Sequence, residues 1–409
     1  MTRWALTLAA LVAAGCSSGV AARAPATEPA ATVRASTGPA TTTTTAAPAT
    51  TTVAPTTTVA ATTTTTEPPT TTTTLIPSDQ QTLQEVNKIG GSISPKSVVA
   101  SPSGLVFAQN MMYRHTVTVY DPSGALLSTI ADTVDLAALG QPVAPGPYRG
   151  APVEAAFMPD GSQVYVSNYE MYGPGYSNPG SDTCRGNHFD DSYVYRINTT
   201  SLTIDQAIKV GAVPKFVAVS PDGRLLLVSN WCSSDLSVVD TATATELQRI
   251  PLGPYPRGIV IDAQSRVAYV ALMGTYDIAT VDLATFAVGR IAGVGNGPRH
   301  LVLDPAGRFL YATLNAEGNV AKIDLTTGTV VAKVHTGSRP RSMAIAPDGR
   351  SLFVVNYDAA TMTKLRADDL AITQTVKTGV HPIGITVNPA TGNVWVACYA
   401  GSITLFAES

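Results

Sequence analysis

Seven prolines set the pattern of this chain. Pro95, Pro152, Pro214, Pro256, Pro298, Pro340 and Pro382 each open the same run: an apolar segment, a tight turn and a second apolar segment. The last five stand 42 residues apart, and the first two intervals, 57 and 62 residues, are the same unit lengthened by insertions. The clearest copy is 339–356, RPRSMAIAPDGRSLFVVN. A period of this size marks a repeat architecture, in which each unit buries its faces only against its neighbours. Seven such units fill residues 79–409 and leave no room for a second globular domain. Length alone would have suggested two or three domains.

Within the sixth unit, 341–346 reads as an inner strand and Pro347-Asp348-Gly349 as a turn, followed by strands at 351–357, 362–366 and 371–377. Four short strands in about 40 residues is the pattern of a propeller blade. The expected fold is therefore all-β, a seven-bladed β-propeller of four-stranded blades. Inner strands such as Leu301-Val302-Leu303 and Val217-Ala218-Val219 are apolar on both faces, as a strand packed between neighbouring sheets requires. Gly258, Ala344 and Gly384 recur on one face, which lets adjacent sheets approach near the axis. Asp240, Asp282 and Asp324 repeat at the 42-residue step. Three evenly spaced carboxylates invite a metal or catalytic reading, but the simpler one is that each nucleates the outer turn of its blade.

The seventh unit stops after its third strand, at 402–406. Its missing outer strand matches 82–89, TLQEVNKI, which resembles 202–210, LTIDQAIKV. The N-terminal strand is predicted to complete the last blade, closing the ring and hiding two edges that would otherwise invite aggregation. A monomer is expected.

Residues 1–16 carry a leader: Arg3, then an uncharged apolar run over 4–14, then Ala13-Ala14-Gly15-Cys16. The run is too short to span a bilayer but suits a signal-peptide core. Its end resembles a bacterial lipobox, although Ala13 stands where Leu is usual. The resemblance implies cleavage before Cys16 and lipid attachment to its sulfur. The alternative is cleavage after Ala22-Arg23-Ala24 and release as a secreted protein; on either reading the mature chain is extracytoplasmic. Residues 17–78 are a linker, more than half Thr between 32 and 74 with Ala and Pro between. With almost nothing to bury, it cannot offset the entropy of ordering and reads as a disordered spacer or an O-glycosylated stalk. As a coil it would hold the globular part ~40 Å from an anchor.

The second strands read Tyr165-Val166-Ser167-Asn168, Leu227-Val228-Ser229-Asn230, Tyr269-Val270-Ala271-Leu272, Phe353-Val354-Val355-Asn356 and Trp395-Val396-Ala397-Cys398. This resembles the YVTN-repeat (YncE-like) family of seven-bladed propellers over all of 79–409. The resemblance implies an extracytoplasmic propeller and does not specify an activity, because fold alone does not choose function.

The residues that follow the seven prolines are Lys96, Val153, Lys215, Arg257, Arg299, Arg341 and Ile383. Five are basic in a chain with 13% charged residues and a formal net charge of −3. Arg339, His300 and His381 stand beside them with one acid, Glu154. In a propeller these positions gather at the channel mouth, with the strand-end Asn110, Asn168, Asn230 and Asn356 around the same face. The functional reading is a cationic mouth for a carboxylate, a phosphate, an acidic glycan or a nucleic-acid backbone, or for a protein partner. The competing reading pairs these side chains with blade-edge carboxylates.

Two insertions, 132–150 and 170–191, leave from this face and are expected to wall it. The second carries Tyr169 at its start, then Tyr172, Tyr176, Asp182, Cys184, His188, Asp190 and Asp191. Cys184 and Cys232 sit in neighbouring blades and are candidates for a disulfide in an oxidising compartment, against free thiols. Cys398 reads as a small buried hydrophobe. Asp182, Asp190 and Asp191 lack regular calcium-ligand spacing, and the five histidines form no HxH or HExxH pattern. No metal or other cofactor is expected. No GxSxG elbow and no Gly-rich phosphate loop occurs. An enzyme of lactonase or lyase type would have to use Glu154 with His300 or His381 as acid and base.

Overall fold

Each repeat folds because its two apolar strands are joined by a turn whose side chain satisfies the backbone. In the computed structural model, which describes residues 76–409, Asp160, Asp222 and Asp348 accept the amide N–H two residues ahead at 3.0–3.1 Å. The following Gly161, Gly223 and Gly349 take φ of 72–74°. The chain thereby reverses into antiparallel pairing. In the sixth blade Pro340–Ile345, Ser351–Asn356, Thr361–Arg366 and Ile372–Lys377 pair in sequence order.

Seven four-stranded sheets of this kind form a seven-bladed β-propeller. In the last blade Pro382–Val387, Val394–Cys398 and Ser402–Glu408 are completed by Leu83–Ile89, which pairs antiparallel with Ser402–Glu408. Thr82 and Ser409 exchange backbone hydrogen bonds at 2.8 and 2.9 Å at the seam. The N-terminal strand thus closes the ring. The propeller also begins slightly earlier than composition suggested. Ser78, placed at the end of the linker, is buried and donates from its N–H and Oγ to the Asp348 carboxylate at 2.8 and 2.6 Å. The leader at 1–16 with Cys16, and nearly all of the linker at 17–78, lie outside the described residues.

Asp240 and Asp324, half-buried, and Asp282, exposed, accept the N–H of Thr243, Thr326 and Thr285 at 2.7–2.8 Å. Each nucleates the turn between the third and outer strands of its blade. No metal site is built from them.

The two insertions build a small core of their own. Residues 132–150 contain a hairpin, Thr133–Asp135 with Pro147–Arg149, and Arg149 bridges to Tyr172 of the second insertion. Leu136, Tyr148 and Met171 are buried against Tyr193 and Tyr195 of the strand Ser192–Asn198. Most of the expected wall therefore rests on the outer half of the second blade.

Near the axis the inner strands of adjacent blades touch through backbone. A Cβ on Gly258 would stand 2.7 Å from the Arg299 carbonyl oxygen, and one on Gly384 would stand 2.7 Å from Ser97 Cα. Neither neighbour is a flexible side-chain end. Gly258→Ala should therefore lower stability by about 1–3 kcal/mol, as overpacking does, measured as a shift in urea midpoint with an unchanged slope.

Candidate functional site

The turn that enters each inner strand has an unusual backbone. Val213, Tyr255, Gly297, Arg339 and His381 precede the five evenly spaced prolines, and all take φ between 52 and 70°. Four are not glycine, so the left-handed conformation stores strain there. It sets how the residue after each proline leaves the turn. Lys215, Arg257 and Arg299 are 3%, 7% and 2% exposed, while Val153 and Ile383, at the two apolar positions of the series, are buried.

The five basic residues lie within electrostatic reach of one another. Burial lowers Arg257 to about 10, with Arg341 adding to the effect, so it remains charged at neutral pH. Burial, then Arg257 and Arg341, pulls Arg299 well below its ordinary value. Burial, followed by Lys215, Arg257 and Arg299, does the same to Lys96. Among the described residues no carboxylate forms an ion pair with Lys96, Arg257, Arg299 or Arg341. The buried Nε atoms of Arg299 and Arg341 have no hydrogen-bond partner.

One acid forms an ion pair with the cluster, and it comes from the second insertion. Asp182 pairs with Lys215. Against desolvation, which raises it, Lys215 and then Lys96 and Arg257 hold the Asp182 carboxyl well below the usual carboxylate range. Burial, only partly offset by Asp182, lowers Lys215 to about 7. The Tyr169 hydroxyl donates to the Asp182 carboxylate at 3.2 Å, and Trp231 Nε1 donates to its carbonyl oxygen at 3.1 Å. A disulfide joins Cys184 to Cys232 and ties this loop to the third blade. Cys398 is buried and free.

Aromatic rings stand beside the cations. Lys96 lies 5.1 Å from the Tyr399 ring, Lys215 lies 4.2 Å from Tyr169, and Arg341 lies 4.5 Å from Tyr357. Tyr169, Trp231, Tyr357 and Tyr399 all occupy the position just after the second strand. Of these four, the sequence singled out only Tyr169, at the start of the second insertion, and otherwise pointed to the strand-end asparagines one residue earlier. Cation–π contacts compensate part of the cost of crowding like charges.

Several sequence candidates lie elsewhere. Asn110, Asn168, Asn230 and Asn356 are fully buried. Asn230 Nδ2 donates to Asp235 and Ser237, and Asn356 Nδ2 donates to Thr361 and Thr363, so these two side chains clamp the loop to the third strand. Arg339 points outward and pairs with Asp358 at 3.1 Å. His381 stacks on Tyr357, centroids 4.4 Å apart. Asp190 accepts the N–H of Ser177 and Asn178, and Asp191 pairs with Arg249 and Lys209, so neither joins Asp182 in a calcium site.

Glu154 and His300 line one axial cavity of about 150 Å³ with Ser97, Phe216 and Ser342. No hydrogen bond joins Glu154 to His300 or His381 among the described residues. His300 Nδ1 instead accepts the Met343 N–H at 3.3 Å. Burial, then Arg299 and Arg257, lowers His300 to about 3, so the ring is neutral. Desolvation pushes Glu154 up to about 7 against Ser97, Arg257 and Arg299. Glu154 and His300 thus share a cavity without a hydrogen bond between them.

Residues 178–380 match a family model described as a YNCE-like beta-propeller. The chain carries a YNCE-like β-propeller. A search of curated proteins finds no match. Among solved structures, Kuenenia stuttgartiensis hydrazine synthase superposes with a TM-score of 0.61 at 19% identity, covering 78% of this chain and 96% of that one. The WD40 β-propeller domain of Doa1 superposes with a TM-score of 0.61 at 12% identity, covering 80% and 97%. At such identities the likeness concerns the fold alone. The YNCE-like match covers the third to sixth blades and thus Lys215, Arg257, Arg299 and Arg341.

The Glu154 environment in this YNCE-like propeller has a pH consequence. A carboxyl raised from 4.5 to about 7 by folding adds stability below its unfolded value and loses it as pH rises through about 7. Wild type should lose of order 3 kcal/mol between pH 5 and pH 8 that Glu154→Gln does not lose, read as the difference in urea unfolding free energies.

Proposed function

We propose that this propeller is a binding module whose axial basic cluster forms the mouth of the channel and takes an anionic group. The observation that carries this is the pair Arg257 and Arg299, buried at 7% and 2% exposure with no carboxylate partner. A buried unpaired cation is costly, and folds keep such groups where a counter-ion arrives. Guanidinium groups suit the bidentate geometry of a carboxylate or phosphate. Tyr357 and Tyr399 beside Arg341 and Lys96 add apolar faces for the body of the ligand. The shared chemistry is a planar or tetrahedral oxyanion, whether borne by an acidic glycan, a small carboxylate, a phosphate or a nucleic acid.

The test is titration calorimetry with oligoglucuronate, inorganic phosphate and a short oligonucleotide at 50 and 300 mM salt. At least one probe should bind in a salt-sensitive manner, and Arg299→Glu with Arg341→Glu should weaken it at least tenfold. Affinity should also fall as pH rises through about 7, because Lys215 loses its proton and Glu154 ionises there. Unchanged binding of every probe by the double variant would sink the proposal.

We also propose that the mature chain is exported and held to the membrane by lipid on Cys16, with residues 17–78 as a spacer. The lipobox-like leader supports this, and the Cys184–Cys232 disulfide suits an oxidising compartment. Cys16→Ser should move the protein from the membrane fraction to the soluble fraction and abolish fatty-acid labelling. Continued labelling of that variant would exclude Cys16 as the acceptor.

A further inference from the structure

One step further along each inner strand stands a second ring of residues. The second residues after the seven prolines are Ser97, Glu154, Phe216, Gly258, His300, Ser342 and Gly384. Six of them line the axial cavity of about 150 Å³, and the seventh, Gly258, has no side chain to reach it. Contributions from six blades place this cavity on the axis. Neighbouring Cα atoms are about 3.8 Å apart, so on each blade the ring stands one residue from the basic cluster. Glu154 and His300 both feel Arg257 and Arg299. No lysine or arginine lines the cavity itself.

The groups that face this space have hydrogen bonds to spare. His300 Nδ1 accepts the Met343 N–H at 3.3 Å, so the neutral ring carries its proton on Nε2. No protein acceptor takes that proton among the described residues. Ser342 Oγ donates to the Ile383 carbonyl oxygen at 2.7 Å and keeps its lone pairs. Glu154, with Ser97 beside it and its carboxyl raised to about 7 by desolvation, both gives and accepts a hydrogen bond near neutral pH. The Phe216 ring stands edge-on to His300 at 5.3 Å, and Val99, Ala155 and Ile385 complete the wall.

This lining selects the chemistry of an occupant. A cationic tail would be repelled by the basic cluster, and a second carboxylate would lie desolvated beside Glu154. Hydroxyl groups, each a donor and an acceptor at once, match Nε2–H of His300, the Ser342 lone pairs and the Glu154 carboxyl. At ~30 Å³ for each water-sized group, the cavity has room for about five non-hydrogen atoms. A polymeric anion bound at the mouth would leave it empty. On the basis of the anion-binding reading above, we propose that the ligand is a small hydroxylated monocarboxylate that enters hydroxyl end first. Its carboxylate meets Arg257 and Arg299, and its hydroxyl groups lie among Glu154, His300 and Ser342.

The test is titration calorimetry at pH 6 with glycerate, lactate and propanoate, three acids of one length with two hydroxyls, one and none. Wild type should bind glycerate roughly tenfold or more tighter than propanoate, with lactate between them. Glu154→Leu and His300→Leu should each remove most of that preference while propanoate still binds. Glu154→Gln, which keeps a donor and an acceptor, should retain it. Should one leucine variant fail to fold, the wild-type ratio and the other variant decide. Equal binding of the three acids by wild type, or a preference that neither leucine variant moves, overturns the inference and leaves the anion-binding reading standing. Binding of phosphate, oligoglucuronate or the oligonucleotide but of none of the three acids does the same. Binding of no anionic probe at all overturns both.

Discussion

The pairing of Leu83–Ile89 with Ser402–Glu408 is the contact on which the rest of this molecule depends. Seven sheets packed side by side have two ends, and an open arc would expose a strand edge at each. Pairing across the seam removes both edges at once. It also fixes the curvature, so that seven inner strands start around one axis. Like charges are brought together by that geometry. Without closure the arginines after the core prolines would belong to separate blades and would scarcely feel one another.

Closure therefore sets a conflict that the site resolves locally. Backbone at Gly258 and Gly384 lets the inner strands come within contact distance, and the side chains that follow the prolines have little room to part. On top of burial, Arg341 lowers the proton affinity of Arg257, and both lower that of Arg299. Tyrosines at the loop starts face three of the cations, and a single aspartate arrives from the insertion. These compensations are partial, and the remainder is the basis on which we propose an anionic ligand.

Asp182 shows how such a site can be tuned without altering the ring. Its loop is secured by the disulfide at Cys232 and by the Trp231 indole, both on the neighbouring blade. The loop thus spans two blades and sets a carboxylate against Lys215 while Arg257 and Arg299 stay unpaired. Lys322 and Lys364 are equivalent in sequence, and only the seam, where the chain ends meet, gives Lys364 its extra acceptors.

Much of this was legible in the residues themselves. The 42-residue step, the Pro-Asp-Gly turns and the strand at 82–89 are local patterns, and local hydrogen bonding and strand pairing carry them directly into blades and closure. The five basic positions could be read too, because a repeat places equivalent residues at equivalent points around an axis. Other features depended on side-chain direction and on contacts between distant segments. The side chains of Asn110, Asn230 and Asn356 turned to their own blades, and the residues just after second strands, Tyr169, Trp231, Tyr357 and Tyr399, met the cations instead. The second insertion could have gone anywhere its length allowed, and packing against Tyr193 and Tyr195 sent most of it outward while the disulfide brought Asp182 in. The sequence by itself determined the repeat, the ring and the excess of positive charge, because each follows from neighbours along the chain. Which charges are paired was decided only in the tertiary structure, where residues far apart in sequence compete for the same few angstroms.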